Sequence, residues 1–442
     1  MAKVLPDTIR ARRRAMADNS ALLDGEESQP PPPGIARTPS VFLRMQPDTR
    51  QEIGGLLKEL YSSPTKALLI FAPAGIIAGL LQQPAVTVFL LNLMALVPLP
   101  GLILYSVLVA TGDSALLGGL LGAVLGNATE IALGICALFL NETRIAQGIM
   151  IGSILTYCLF VLGGSFLVAS YGKKEKTFSK ARTSIMSSLV MSASICLAIP
   201  TVMALAGQEN KARSHSLPDH HLFLSRATSV VQMLLFLAYL VFRFQTHRRI
   251  FPRNSGSPRE ASGTSRSCSS RAHLLRTSLA ALFCTFASSY YLVSRLSVAS
   301  KTLAIPESFA AMVVLPQAGS LTKAVTIARH TRSDASPLPE QISRLDFAIR
   351  SIMTNVFDTE LFILPMLVML GWAVGVPMRL SFGLFETVIF LLAILIMTYL
   401  VQHGKTTYFE GIMLMGTYLT IATALYLRPE GASSPSSGMT TP

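Results

Sequence analysis

Two five-residue stretches carry the residue types that could do chemistry in an otherwise apolar chain: Gly126-Asn127-Ala128-Thr129-Glu130 and Gly319-Ser320-Leu321-Thr322-Lys323. Both read glycine, small polar, any residue, threonine, charge. A carboxylate, an amide and a hydroxyl offer the oxygen ligands that a hard cation such as calcium takes, usually several at once. Glu130 is therefore the leading candidate to hold a metal ion, with Asn127 and Thr129 beside it. A carboxylate placed inside a lipid-spanning helix costs a few kcal/mol or more, so Glu130 should face a partner, a cation or a watery cavity. The plain alternative is a structural, hydrogen-bonded carboxyl. In the second stretch the acid is replaced by the ammonium of Lys323, and the amide by the hydroxyl of Ser320.

These stretches are positioned by an extremely apolar scaffold. Of 442 residues, 51% are hydrophobic and 14% charged, with a mean hydropathy of +0.50, which excludes an ordinary soluble domain. Runs of about 20 apolar residues can each cross a bilayer as a helix. Eleven can be drawn: helix A over 65–82, B 84–111, C 114–140, D 145–171, E 181–206, F 222–245, G 274–297, H 305–328, I 345–372, J 380–402 and K 407–427. A helix satisfies its backbone polar groups within the segment, so an all-α bundle is expected. The organisation follows: a disordered cytosolic tail over 1–63, a transmembrane half over 64–245, a basic linker over 246–273, a second transmembrane half over 274–427 and a tail over 428–442. The first tail holds Arg10, Arg12, Arg13 and Arg14 and the prolines Pro30 to Pro33, without the apolar core of a signal peptide.

The net charge of +13 sits in particular loops. Lys173, Lys174, Lys176, Lys180 and Arg182 lie between D and E; Arg248, Arg249, Arg253, Arg259, Arg266, Arg271 and Arg276 between F and G; Arg329, Arg332 and Arg344 between H and I. These connections follow crossings four, six and eight, so a cytosolic N-terminus satisfies the positive-inside rule throughout. The loop with His215, His220 and His221 and the C-terminus then lie on the far side, and nucleic acid is not needed to explain the charge.

Setting helix A aside leaves B–F and G–K, five helices each. Five is odd, so the two groups cross in opposite senses, the inverted-repeat arrangement in which broken helices meet at a midplane site. The two motif stretches occupy the second helix of each group. Pro316 is expected to break or bend helix H before its motif, and Gly118, Gly119, Gly122 and Gly126 to admit a close neighbour against C.

At these residues the chain resembles the vacuolar calcium/proton exchangers of the calcium/cation antiporter superfamily, over about residues 60–427. The resemblance rests on Leu125-Gly126-Asn127-Ala128-Thr129-Glu130, on Gly152-Ser153-Ile154-Leu155 before Val161-Leu162-Gly163, and on Leu224-Ser225-Arg226 through Thr246-His247-Arg248. It continues through Leu364-Pro365 to Gly371-Trp372, and Phe385-Glu386-Thr387-Val388 to His403-Gly404-Lys405 and Glu410-Gly411. It implies an eleven-helix fold in the vacuolar membrane. In that fold, two glutamates, one per repeat, alternately bind calcium and protons. Ser153 and Ser320 then join the cation and proton site, no cofactor beyond the transported ion is implied, and a homo-oligomer is compatible.

The departures cluster in the second half. The expected second glutamate falls at Lys323; an expected glycine-serine-serine-isoleucine-glutamine falls at Thr354-Asn355-Val356-Phe357-Asp358; an acidic pair on helix G falls at Tyr290 and Ser294. The segment Thr331 to Ser343 is longer than the family norm and the linker is basic rather than acidic. In the first repeat a serine-asparagine pair falls at Thr156-Tyr157. If Lys323 lies within about 4 Å of Glu130, both charged forms are favoured and the ammonium takes the cation's place. Asp358 or Glu360 could supply a replacement carboxylate. Two residues apart on a helix, they do not share a face, and Asp358 shares one with Thr354 and Asn355. Alternatively Lys323 itself carries the proton, or it snorkels to an interface in a transport-impaired paralogue with a structural or regulatory role.

Other signals carry less. The cysteines Cys136, Cys158, Cys196, Cys268 and Cys284 show no paired spacing and read as small buried hydrophobes. Asn141-Glu142-Thr143 is a sequon in a membrane-hugging turn, and Asn127-Ala128-Thr129 one inside a helix. Glu386 and Glu410 read as helix-start acids. No metalloprotease, P-loop or serine-hydrolase pattern occurs, so a transporter rather than an enzyme is expected.

Overall fold

The computed structural model describes residues 68–103, 115–171, 175–210, 218–243, 268–332 and 344–428. The expected tails, most of the 246–273 linker, and the greater part of the segment from Thr331 to Ser343 lie outside the described residues.

Almost everything described is helix. In chain order we label α1 Phe71–Leu80, α2 Ala85–Ile103, α3 Ala115–Gly126, α4 Ala128–Phe139, α5 Thr143–Ser170 and α6 Lys180–Asn210. They continue as α7 Pro218–Val241, α8 Cys268–Leu303, α9 Glu307–Ala328, α10 Leu345–Val374, α11 Leu384–Gln402 and α12 Tyr408–Leu427. Two short strands, β1 Lys176–Thr177 and β2 Lys405–Thr406, pair antiparallel. Nine of the described helices are long and apolar enough to span a bilayer, ten if α3 and α4 count as one bent span; the expected helix A, Leu68–Leu80, is shorter than a full crossing. Apolar side chains such as Leu80, Phe223, Leu234 and Leu419 point outwards, whereas Ser225, Ser229 and Gln232 of α7 point inwards. That inside-out distribution fits a hydrocarbon surround rather than water.

The helices pack as two related groups. α5 lies on α12 as α10 lies on α7, α8 lies on α4 as α2 lies on α9, α6 lies on α10 as α11 lies on α5, and α6 pairs with α11. Each of these contacts has its counterpart when α2 to α7 are exchanged for α8 to α12, as an inverted repeat requires. The loops also sort by end. Gln147 and Thr201 donate to the carbonyls of the 379–382 segment, Ser225 accepts from Leu380, and Arg428 pairs with Glu386. At the opposite end β1 pairs with β2, and Ser179 donates its backbone N–H to Asp346. Among the described residues, the connections after the third, fifth and ninth crossings thus share one end and those after the fourth, eighth and tenth the other.

The helix break falls in a different place from the one expected. α9 runs through Pro316 as one span, and the proline is taken up by a wide π-helical stretch over Ala310–Val314 immediately before it. The sharp bend is instead in helix C, 65° between Leu120–Gly126 and Ala128–Phe139. Asn127, at φ −112° and ψ 26°, is the hinge. Its Nδ2 donates to the Ala123 carbonyl at 2.9 Å, satisfying an acceptor at the interrupted end of α3. A Cβ on Gly122 would meet nothing, so that glycine admits no close neighbour. The tight approach is elsewhere: a Cβ on Gly152 of α5 would fall 2.1 Å from the Met312 carbonyl oxygen of α9.

Candidate functional site

The break at Asn127 builds the site. It makes Glu130 a first-turn residue of α4, where unpaired N–H groups and the helix dipole favour a negative charge. Glu130 is 1% exposed. Gly319 of α9 supplies the room: a Cβ there would stand 3.0 Å from Glu130 Oε1. One turn further along α9, Lys323 reaches back into the same space. Its Nζ donates to Asn127 Oδ1 at 2.9 Å, to Glu130 Oε1 at 3.3 Å and to Asn355 Oδ1 of α10 at 3.4 Å. It also lies 5.4 Å from the centre of the Tyr157 ring, a cation–π distance. Tyr157 closes the ring by donating its hydroxyl to Glu130 Oε1 at 3.3 Å. The acid and the base therefore form a buried ion pair, their side chains 2% and 10% exposed.

The lysine stays in the interior and does not snorkel to an interface. Three oxygens and an aromatic face enclose its ammonium, a shell that a bare cation would also accept. Glu130 Oε2 makes no hydrogen bond, and neither do the buried hydroxyls of Thr129, Ser153 and Ser320. Buried acceptors and donors without partners cost about 1–3 kcal/mol each, so an interior holding four of them is suited to an ion or water.

α10 contributes the remaining polar groups. A π-helical stretch over Thr359–Ile363 begins directly after Asp358 and contains Glu360. Asp358, 6% exposed, lies within electrostatic reach of Lys323 and of Arg243 just past α7. Glu360 faces α6, where Ser194 Oγ donates to it at 2.7 Å, and its other oxygen is unpartnered. α5 carries a matching π-helical stretch over Thr156–Val161, which contains Tyr157. Such turns shift side-chain register and are frequent at functional sites. A separate polar knot lies nearby: Gln317 donates to Tyr418 Oη at 2.7 Å, and Thr156 sits 3.3 Å from the same hydroxyl.

Sequence reasoning missed Tyr157 and Asn355 as contacts of the pair. Both stand at positions where this chain departs from the pattern it resembles, and a substitution facing a charge reversal was the available signal. Of the other readings, Cys136 and Cys158 are buried and unpaired, Glu410 completes a capping box with Thr407, and Asn141 takes a positive φ in the α4–α5 turn.

The sodium/calcium exchanger protein family matches residues 85–245 and 273–427, the two helical groups on either side of the linker. The chain belongs to this family. Among its relatives are the vacuolar calcium ion transporter of Schizosaccharomyces pombe, 26% identical over 95% of this chain and 98% of that one, and vacuolar cation/proton exchanger 5 of Arabidopsis thaliana, 27% identical over 84% and 82%. In fold it is similar to native YfkE (TM-score 0.66, 22% identity, 82% of this chain and all of that one). It is similar as well to the H+/Ca2+ exchanger CAX (TM-score 0.61, 16% identity, 86% and 93%). With this membership, a polytopic, all-α exchanger scaffold is the frame for the site.

Proposed function

We propose that the chain exchanges calcium or a related cation for protons across the vacuolar membrane, with Glu130 as the cation's seat. The supporting observation is a buried carboxylate at the start of a broken half-helix, one oxygen paired and the other open. Asn127, Thr129, Ser153 and Ser320 supply further oxygens as the ion sheds its water, and Asp358 adds a second negative charge from α10. Lys323 competes for the same carboxylate. Rocking one five-helix group against the other would expose Glu130 to each side in turn. The basic charge of the even-numbered connections supports a cytosolic N-terminus and a luminal C-terminus by the positive-inside rule.

The test is calcium uptake into acid-loaded proteoliposomes containing the full chain. Uptake that dissipates with the proton gradient is expected, and Glu130→Gln should lower it by roughly a hundredfold or more, because the cation loses the carboxylate that seats it. Wild-type uptake at background would instead indicate a transport-impaired paralogue neutralised by Lys323.

A further inference from the structure

We propose that Arg243, just past the end of α7, sets the choice between divalent and monovalent cations by holding a fixed positive charge over the approach to Asp358. The proposal rests on the reading of Glu130 as the cation's seat, with Asp358 as its second acid. Its geometry begins with the way α7 and α10 run together. Arg226 stands over the Trp372 ring at 5.1 Å, Phe236 stacks on Phe362 at 5.0 Å, and Tyr239 tilts against Phe357 at 4.4 Å. Rising numbers on one helix meet falling numbers on the other, so the two are antiparallel. One further turn brings Arg243 level with the polar face of α10. There Arg350, Ser351, Thr354 and Asn355 recur half-buried at helical spacing between buried neighbours, and the same face continues to the buried Asp358. Asn355 accepts from Lys323 Nζ at 3.4 Å, so the stripe joins the Asp346 end of α10 to the Glu130 pair. A polar face at that depth lines a watery path rather than lipid.

A basic residue at a helix end ordinarily snorkels outwards to the headgroups. Arg243 turns the other way. Its Nη1 donates back one turn to Tyr239 Oη at 3.3 Å, and its guanidinium lies 5.9 Å from the centre of that ring. Tyr239 is itself buried, against Phe357 on one side and Met186 on the other, whose sulfur accepts from its hydroxyl at 3.7 Å. The tyrosine is thus a rest for the guanidinium, placed against the residue next to Asp358. Asp358 feels the charges of Arg243 and Lys323, and Tyr239 those of Arg243, Asp358 and Arg350. Glu130, Lys323, Asp358 and Arg243 therefore form two acids and two tethered cations, balanced before any ion arrives. A guanidinium stays charged throughout the physiological range, so this countercharge is constant. A cation entering along α10 meets it inside the bundle, where it is poorly screened. The repulsion scales with the charge of the entering ion, so calcium is penalised twice as much as sodium.

Arg243→Lys keeps the charge and Arg243→Gln removes it, which separates an electrostatic role from a packing one. Equilibrium binding of radioactive calcium and of radioactive sodium to the purified full chain, at one fixed pH, gives the two apparent affinities. Arg243→Gln should bind calcium about tenfold more tightly than wild type and sodium about threefold more tightly, half the free energy for half the charge. The calcium-to-sodium ratio then shifts about threefold, and Arg243→Lys should keep the wild-type ratio. The inference is overturned if Arg243→Gln leaves the ratio unmoved, or if Arg243→Lys shifts it as far. Should Arg243→Gln fail to fold, the comparison moves to Asp358→Asn protein, in which losing the arginine strands no acid. Adding Arg243→Gln there must again favour calcium over sodium, and an equal gain for both ions overturns the inference. If monodisperse wild type and Arg243→Gln both bind neither ion, the reading of Glu130 as a cation seat fails and takes this one with it.

Discussion

The two motif stretches share a pattern of residues and take opposite backbones. In the first, an asparagine can turn its amide back to the Ala123 carbonyl, so the helix breaks by 65° and delivers Glu130 at a helix start that favours a carboxylate. In the second, Ser320 stands where the amide would be; its hydroxyl has no partner, the helix continues, and the charge is a long-stemmed ammonium. The backbone that would stabilise an acid is thus retained only where the acid is retained. The second helix instead lends space, through Gly319, and a cation of its own.

Restoring symmetry of charge should have the largest effect. Lys323→Glu gives each repeat an acid, and calcium affinity near neutral pH, read by titration, should rise by about tenfold or more, because two carboxylates repel each other until a divalent ion joins them. An unchanged affinity would mean that position 323 does not contact the ion. Glycines sharpen the contrast next. Gly319→Ala forces a methyl against the Glu130 carboxylate and should reduce exchange about tenfold, as overpacking costs about 1–3 kcal/mol, whereas Gly122→Ala, which meets nothing, should stay within about twofold.

Smaller changes address the shell around the ammonium. Asn355→Ala removes one acceptor from Lys323, so the cation should compete better and bind roughly fivefold tighter, in line with about 1 kcal/mol for one hydrogen bond. Tyr157→Phe keeps the aromatic face and loses only a 3.3 Å bond to Glu130; exchange should change by about twofold.

Much of the frame was legible because bilayer thickness and backbone satisfaction impose long apolar runs, which α5, α10 and α11 display plainly. The proximity of Glu130 and Lys323 was legible because repeat symmetry maps one motif onto the other. The location of the break was not. Proline at 316 is the stronger local signal, yet a neighbouring π-helical stretch absorbs it, while Asn127 breaks its helix by satisfying a carbonyl, which only the three-dimensional backbone reveals. Glu360 shows the same limit: its spacing from Asp358 predicts a different face, but its partner Ser194 on α6 depends on tertiary packing.

The most direct measurement is a structure of the wild-type chain at high pH with strontium or manganese located by anomalous scattering. An ion on the Glu130 carboxylate and Asn127 Oδ1, with Lys323 Nζ withdrawn from its present 3.3 Å contact, is the expected result. An ion seated elsewhere, or one on Glu130 with that ion pair intact, would contradict competition between lysine and cation for a single carboxylate.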